Sequence, residues 1–351
     1  MMRAVKNFIC SNAMGILVCL MIAVPSWLLG NRFPVVGGAV FSIFLGMIIS
    51  LFWTNKGSAG AGIKFTSKYV LQAAVVLLGF GMDLKAVLRT GGQSLPIIVC
   101  TITTAFIAAY FLGKALRISR NITILIGVGS SICGGSAVAA AAPVIGADDD
   151  EIAQAISVIF FFNVIAAVLF PILGRGLGFD TTSGESFGIF AGTAVNDTSS
   201  VTAVASTWDS MWGLGTQTLD KAVTVKLIRT LAIIPITMAL SVLRARGKGA
   251  ARSKTDGFSL KNALPTFILL FVLASVLFTV TRSLSVLSST FALLKKASKL
   301  LIIMAMAAIG LNSNIVKLIR SGGKSILLGG GCWICITVVS LLMQQIIWRV
   351  K

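Results

Sequence analysis

The segment "GSSICGGSAVAAAAP", residues 129–143, lies inside a stretch of 27 residues without a charge, Asn121–Ala147. An apolar stretch of that length is typical of a membrane-spanning helix. Its middle combines paired glycines with serines, although glycine costs about 1 kcal/mol relative to alanine inside a helix. The pattern predicts a helix that unwinds at membrane depth, where irregular backbone persists only if it is buried or lines a polar cavity. Close helix packing through small residues is the alternative interpretation.

The composition indicates a polytopic membrane protein. Of the 351 residues, 56% are hydrophobic and 12% are charged, and the mean hydropathy is +0.95. Uncharged stretches of spanning length recur along the chain, and we count eleven candidate spans within one domain, residues 1–351. We therefore expect an all-α protein with about 10–11 transmembrane helices. The first apolar stretch is longer than the core of a signal peptide, so it is expected to remain as the first span.

The net charge of +19 does not indicate a nucleic-acid partner, because the basic residues are spread over the loops between spans. With the N-terminus in the cytoplasm, the inside segments hold 18 Lys and Arg residues and the outside segments hold 10, as the positive-inside rule requires. The chain contains no histidine and no Walker A motif. These absences exclude His-based catalysis and ATP-driven transport by this chain alone. We expect a protein that is not an enzyme and that holds neither a cofactor nor a structural metal.

Two pairs of segments are similar to each other. Residues 79–94, "GFGMDLKAVLRTGGQS", share five of 16 positions with residues 310–325, "GLNSNIVKLIRSGGKS". Residues 129–143 share five of 15 positions with residues 192–206, "GTAVNDTSSVTAVAS". Internal similarity of this kind is typical of secondary transporters, which are often built from inverted repeats whose interrupted helices form the substrate site.

The second similarity marks 121–144 and 186–207 as the two interrupted segments. Counting eleven spans would make these two segments parallel, which conflicts with a simple inverted pair. Either one of them is re-entrant, or a span is miscounted, or the similarity is convergent. The sequence leaves these alternatives open.

Asp197 is the most informative single residue, because 11 uncharged residues lie on each side of it. A charge at the centre of a membrane helix costs about 2.5–3.5 kcal/mol, so such a residue usually faces the interior of the bundle. Asn196, Thr198, Ser199 and Ser200 surround it with polar groups that could coordinate sodium, share a proton or bind substrate. The alternative is an external loop in which Asp197 is an ordinary helix cap.

Three further polar residues lie in apolar surroundings. Lys226 and Arg229 are three apart in "KAVTVKLIRTLAIIP" and therefore share one face of a helix. They face a translocated anion, neutralise Asp197, or extend to the membrane surface. Asn163, in "FFFNVIAAVLFP", is expected to bond to a neighbouring helix. The acidic run at 148–151 is expected to cap the helix that follows it.

The block "GSSICGGSAVAAAAPVIGADDDEIAQAISVIFFFNVIAAVLFP", with "GFGMDL", "GTAVNDTSSV" and "VKLIR" in order around it, resembles the signature of the YeiH-type sulfate exporter family. The resemblance covers nearly the whole chain. It implies a bacterial inner-membrane protein, distantly similar to bile-acid symporters and sodium/proton antiporters. It further implies inverted repeats, interrupted helices that cross at the membrane centre, and alternating access. The chain departs from other members, which have a His-Glu pair and a Gln where Asn196, Asp197 and Ser200 stand.

Together these observations predict a secondary transporter of a small anion, sulfate or another oxidised sulfur compound. A passive anion channel and a carrier of carboxylates or other organic anions are the alternatives. The expected substrate-binding residues are Ser130, Ser131, Cys133, Gly134, Gly135, Ser136, Thr193, Lys226 and Arg229. The expected residues for a coupling ion, sodium or a proton, are Asn196, Asp197, Thr198, Ser199 and Asn163. The expected partners are the anion and the lipid bilayer, without nucleic acid, and a homodimer is left open.

Overall fold

The computed structural model describes residues 2–33, 37–53, 55–247, 266–281, 285–312 and 323–349. Within these ranges the chain is helical and contains no strand, which confirms the all-α fold class. Most of the segment 310–325 lies outside the described residues. That it repeats the structure of 79–94 therefore stays a prediction.

The first half of the chain forms eight helices and one π-helical turn, Thr66–Val70, between the third and fourth. The helices are α1 (Met2–Arg32), α2 (Gly38–Phe52), α3 (Ala59–Phe65), α4 (Leu71–Gly79), α5 (Leu84–Leu116), α6 (Arg120–Ser131), α7 (Gly135–Ile145) and α8 (Asp149–Gly176). The described residues of the second half form α9 (Glu185–Ala194), α10 (Thr198–Trp212), α11 (Gln217–Thr230), α12 (Ile233–Gly247), α13 (Thr266–Thr281), α14 (Ser285–Asn312) and α15 (Gly323–Arg349).

Six apolar helical segments in the described part of the chain are long enough to cross a membrane. They are Asn12–Arg32, Ala59–Gly79, Leu84–Leu116, Asp150–Gly176, Gln217–Leu240 and Gly323–Ile347. Three shorter apolar helices, Gly38–Phe52, Gly135–Ile145 and Thr266–Thr281, accompany them. The chain is therefore a multi-pass membrane protein. We name its two ends by their loops, the Arg117 end between α5 and α6 and the Asp180 end between α8 and α9.

Helices α6 and α7 form a hairpin that returns to the end from which it enters. Helix α8 begins with a capping box, in which Asp148 accepts a hydrogen bond from the Glu151 amide at 2.8 Å. The Glu151 carboxylate also accepts from Asn121 Nδ2 at 2.8 Å and from Ser119 Oγ at 3.2 Å. The start of α8 thus lies beside the start of α6, so α7 has come back to the Arg117 end. The acidic run caps α8 as expected.

Helices α9 and α10 form the corresponding hairpin at the Asp180 end. The ring of Phe187 in α9 stacks on Trp208 in α10 with centroids 4.0 Å apart, so the two helices run side by side. The end of α10 and the start of α9 both meet the start of α11. Asp209 accepts from the Thr218 amide at 2.9 Å, and Lys221 pairs with Glu185 at 3.1 Å.

The two hairpins enter from opposite ends because the 28-residue helix α8 crosses the bundle between them. They are an inverted pair, and this removes the conflict that simple counting of spans creates. Two of the eleven expected spans, 121–144 and 186–207, are re-entrant hairpins of buried helices, and the second is not an external loop.

The described helices form two groups. Helices α1–α4, α13 and α14 pack mainly on one another, and we call them the panel. Helices α5–α12 and α15 form the core bundle, which contains both hairpins. The groups meet where α10 packs against α2 and α14, and where α5 packs against α13. The hairpins are therefore carried by one group and face the other.

A glycine permits the close contact of α2 and α14 within the panel. A β-carbon at Gly310 would lie 3.0 Å from the backbone carbon of Ile43 and from the nitrogen of Met47. Gly310→Ala is expected to lower the stability by about 1–3 kcal/mol through overpacking. Gly60→Ala is the control, because its β-carbon meets only Lys56 Cβ at 3.8 Å. Thermal unfolding of both variants in detergent is the measurement, and equal melting temperatures would contradict the packing.

Candidate functional site

The two hairpins break at equivalent positions of the aligned segments. Helix α6 ends at Ser131 and α9 ends at the aligned Ala194. Helix α7 then begins at Gly135 and α10 at the aligned Thr198. The sequence similarity between 129–143 and 192–206 therefore corresponds to a shared local structure, a helix interrupted for three residues.

The tips of the hairpins touch each other. Gly134 has φ 72° and ψ −133°, a conformation that side chains with a β-carbon rarely adopt. A β-carbon at this position would lie 3.1 Å from Asp197 Cβ. Because Gly134 and Asp197 are aligned positions and cap α7 and α10, the hairpins meet at equivalent residues.

Lys226 joins the two breaks from α11. Its ammonium donates to the carbonyl of Ile132 at 2.8 Å and to the carbonyl of Val195 at 2.9 Å. Ile132 and Val195 are again aligned positions, so one cation bridges the same carbonyl of both hairpins. The Lys226 side chain is completely buried.

Arg229, one turn further along α11, makes the same kind of bridge. Its guanidinium donates to the carbonyls of Ser130 and Ser131 in the first hairpin, at 2.6 and 2.7 Å. It also donates to the carbonyl of Thr193 in the second hairpin, at 2.5 Å. The carboxyl end of a helix carries a partial negative charge. Two buried cations therefore neutralise the carboxyl ends of α6 and α9.

The amino ends of α7 and α10 face the opposite way and differ from each other. No side chain caps the first turn of α7, which begins with Gly135 and Ser136. In α10 the Asp197 carboxylate accepts from the Ser199 amide at 3.0 Å and from the Ser199 hydroxyl. The first hairpin thus presents unoccupied amides, whereas the second presents a carboxylate.

A cavity of about 440 Å³ lies at these amino ends, between the core bundle and the panel. That volume is in the range of small-molecule sites. The core bundle contributes Gly135, Ser136, Ile156, Ser157, Ile159, Phe160, Asn163, Asp197 and Ser199. The panel contributes Ser67, Leu71, Ile309 and Asn312.

Asn163 is the buried polar group of the cavity with unused hydrogen-bonding capacity. The residue is 2% exposed, and its amide oxygen has no hydrogen-bond partner. Leaving such a group unpaired costs about 1–3 kcal/mol. Asn196 is also buried with an unpaired amide oxygen, but it does not line this cavity.

The structure brings five of the sequence-predicted residues to the cavity: Gly135, Ser136, Asn163, Asp197 and Ser199. The others surround the breaks without lining it: Ser130, Ser131, Cys133, Gly134, Thr193, Asn196, Thr198, Lys226 and Arg229. Sequence reasoning missed Ser67, Ser157 and Asn312, which are single polar residues in helices without an unusual local pattern. A direct role of Lys226 and Arg229 toward a passing anion stays a prediction.

Two inverted re-entrant hairpins that meet at a polar cavity inside an apolar helix bundle define an integral membrane protein with a buried central site. The chain belongs to the conserved hypothetical protein 698 family, whose model matches residues 14–329. This confirms the YeiH-type family expected from the sequence.

The relatives are described as UPF0324 membrane proteins. One from Streptococcus pyogenes serotype M6 is 57% identical over 330 residues, which cover 94% of this chain and 96% of the relative. One from Fusobacterium nucleatum is 54% identical over 344 residues, with coverage of 95% and 97%. One from Streptococcus mutans is 54% identical over 334 residues, with coverage of 95% and 96%.

Gly134→Ala is expected to destabilise the contact between the hairpins. The substitution strains the backbone at φ 72° and brings a β-carbon to 3.1 Å from Asp197 Cβ. A cost of about 1–3 kcal/mol is typical of such a position. The neighbouring Gly135→Ala is the control, because its nearest contact would be Ile156 Cγ2 at 3.8 Å. Thermal unfolding should separate the two variants, and equal stability would show that the tips do not touch.

Lys226→Met is expected to lower the stability of the ligand-free protein by about 2 kcal/mol or more, because buried carbonyls lose their donor. Lys85→Met is the control, since the Lys85 side chain is exposed, and a surface charge contributes at most about 1 kcal/mol. Thermal unfolding without added anions is the measurement. An unchanged melting temperature of Lys226→Met would mean that the residue serves only to attract an anion.

Proposed function

We propose that this chain is a secondary transporter of a small anion, sulfate or another oxidised sulfur compound, that works by alternating access. It is a carrier rather than an enzyme. The observation that supports this most directly is the cavity where two oppositely entering hairpins meet, between core bundle and panel. Carriers built from inverted repeats bind substrate near the membrane centre, at the ends of broken helices.

The amino end of α7 favours an anionic ligand. Its first amides have no side-chain cap and open on the cavity at Gly135 and Ser136. Free amides and the positive end of the helix dipole together form a site for a negative group. The hydroxyls of Ser67 and Ser157 provide further donors at the cavity wall.

Asp197 is the residue that we propose for ion coupling. It is the acidic side chain among those that line the cavity. A proton or a sodium ion at this carboxylate reduces its repulsion of the anion, so each ligand favours binding of the other. Asn163, with its unpaired amide oxygen, is the neighbouring group that supports a cation.

Contacts between panel and core bundle at the Asp180 end support alternating access. Lys295 of α14 pairs with Asp220 of α11 at 3.0 Å and donates to Thr216 at 3.2 Å. Lys299 donates to the carbonyl of Gly215 at 2.6 Å. The cavity lies on the other side of the hairpin tips, next to Ser67 and Asn312 of the panel. We therefore propose that the path from the cavity to the Asp180 end is closed in this structure, and that the cavity opens at the Arg117 end.

The direction of the panel helices indicates which end of the bundle faces the cytoplasm. Helix α1, helix α2, the continuous span Ala59–Gly79 and helix α5 alternate in direction. Because α5 ends at the Arg117 end, α1 begins there. With a cytoplasmic N-terminus in a bacterial inner membrane, the Arg117 end faces the cytoplasm and the cavity is open inward.

The test is exchange of labelled sulfate in proteoliposomes that contain the purified chain. We expect saturable counterflow, and accumulation that depends on a sodium or proton gradient. Asp197→Asn should lose the gradient-driven accumulation and keep the exchange, because only the cation site is removed. Asp180→Asn, in an exposed loop, is the control and should behave as the parent protein.

Two results would contradict the proposal. Flux without counterflow, together with macroscopic currents, would identify a passive channel. Gradient-driven accumulation that is intact in Asp197→Asn would place ion coupling elsewhere.

A further inference from the structure

We infer that the cavity is built for a monovalent organic anion with a short apolar chain rather than for the doubly charged inorganic sulfate ion. The inference rests on the proposed function, because it names the substrate class of the same site. Two separate features of the described residues carry it: the net charge at the breaks and the lining of the cavity.

The formal charges at the breaks sum to one positive charge. Lys226 and Arg229 are fully buried there, and Asp197 supplies a carboxylate at the tip of the second hairpin, against Gly134. Each break exposes one carboxyl end and one amino end of a half-helix, so the helix dipoles nearly cancel. Two cations and one carboxylate therefore leave a net charge of one positive unit, which a singly charged anion balances.

A second negative charge has no partner in the cavity. None of the described residues that line it is a lysine or arginine. The donors of Lys226 and Arg229 are directed at backbone carbonyls. A charge taken out of water without a partner is costly. Sulfate would therefore require a cation to enter with it, whereas a singly charged anion would not.

The lining of the cavity suits an organic ligand. Five of its 13 lining residues are apolar: Leu71, Ile156, Ile159, Phe160 and Ile309. Pockets of about 300–1,000 Å³ with apolar walls and a few polar groups are typical of organic molecules. An inorganic oxyanion fills only a small part of 440 Å³ and gains nothing from aliphatic walls.

One face of α8 forms the apolar wall and ends in a polar group. Ile156, Ile159, Phe160 and Asn163 are spaced by three or four residues and all line the cavity. Asn163 is 2% exposed, and its unpaired amide oxygen accepts hydrogen bonds rather than donating them. An anion therefore contacts this face through the apolar residues.

These features define how the ligand lies. The negative head group binds at the first turn of α7, at Gly135 and Ser136. The chain extends along Ile156 and Phe160 toward the panel. A short-chain alkanesulfonate has this chemistry, and a carboxylate of the same length shares it.

The test measures the thermal stability of the purified chain in a neutral detergent, at constant ionic strength. The probes are methane-, propane- and pentanesulfonate, with inorganic sulfate and neutral pentanol for comparison. We expect the apparent affinity to rise about fourfold for each methylene that is buried. Stabilisation by sulfate should require sodium or a low pH. The sulfonates should stabilise the protein without added sodium, and a cation at Asp197 should only strengthen their binding.

Phe160→Ala and Phe161→Ala form a matched pair of variants. Phe160 lines the cavity, whereas Phe161 is its neighbour on α8 and does not. Phe160→Ala should flatten the dependence on chain length, and Phe161→Ala should retain it.

Each outcome decides the inference. A rising series that Phe160→Ala flattens supports it. A flat series with sulfate as the strongest ligand overturns it and leaves the proposed anion transporter intact. A rising series that persists in Phe160→Ala, or that pentanol reproduces, reflects partition into the detergent and also overturns it. If no anion stabilises the protein and none is transported, both the inference and the proposed function fail.

Discussion

Two cations on one helix hold the centre of this protein together. Lys226 and Arg229 donate from α11 to equivalent carbonyls of two broken hairpins. In a membrane no water is available to satisfy those carbonyls, so the breaks require donors from the protein itself. Lys226 and Arg229 also fix how the hairpins meet, because each of the two side chains contacts both hairpins. The contact of Gly134 with Asp197, and the position of the cavity, follow from that arrangement.

The same geometry gives the carboxyl ends and the amino ends of the half-helices different surroundings. The carboxyl ends of α6 and α9 are closed by side chains of the protein, whereas the amino end of α7 remains open toward the cavity. The aligned residues at the two tips differ, since the first hairpin has glycine where the second has Asp197. Glycine lets a ligand approach the amides of α7 closely, and the carboxylate occupies those of α10. A symmetric fold thereby produces a site with one amide end and one acidic end.

Much of this could be predicted from the sequence. The glycines and serines of 129–143 mark the first break, the similar segment 192–206 marks the second, and the isolated charge of Asp197 indicates a buried site. Re-entry could not be predicted, because the uncharged stretch Asn121–Ala147 is long enough either to cross a membrane or to form a short hairpin. Nor could the partners of Lys226, since a backbone carbonyl has no signature in the sequence. Ser67 and Asn312 reach the cavity only through packing of panel against core bundle.

The most direct measurement is the accessibility of position 136 from the two sides of the membrane. Ser136→Cys would be labelled with an impermeant maleimide in inside-out and right-side-out vesicles, with the parent protein as background. We expect labelling from the cytoplasmic side only. Adding Lys295→Gln, which removes the ion pair to Asp220 at the Asp180 end, should produce labelling from the other side as well. Equal labelling from both sides in the protein with Lys295 intact would contradict alternating access and indicate a continuous pore.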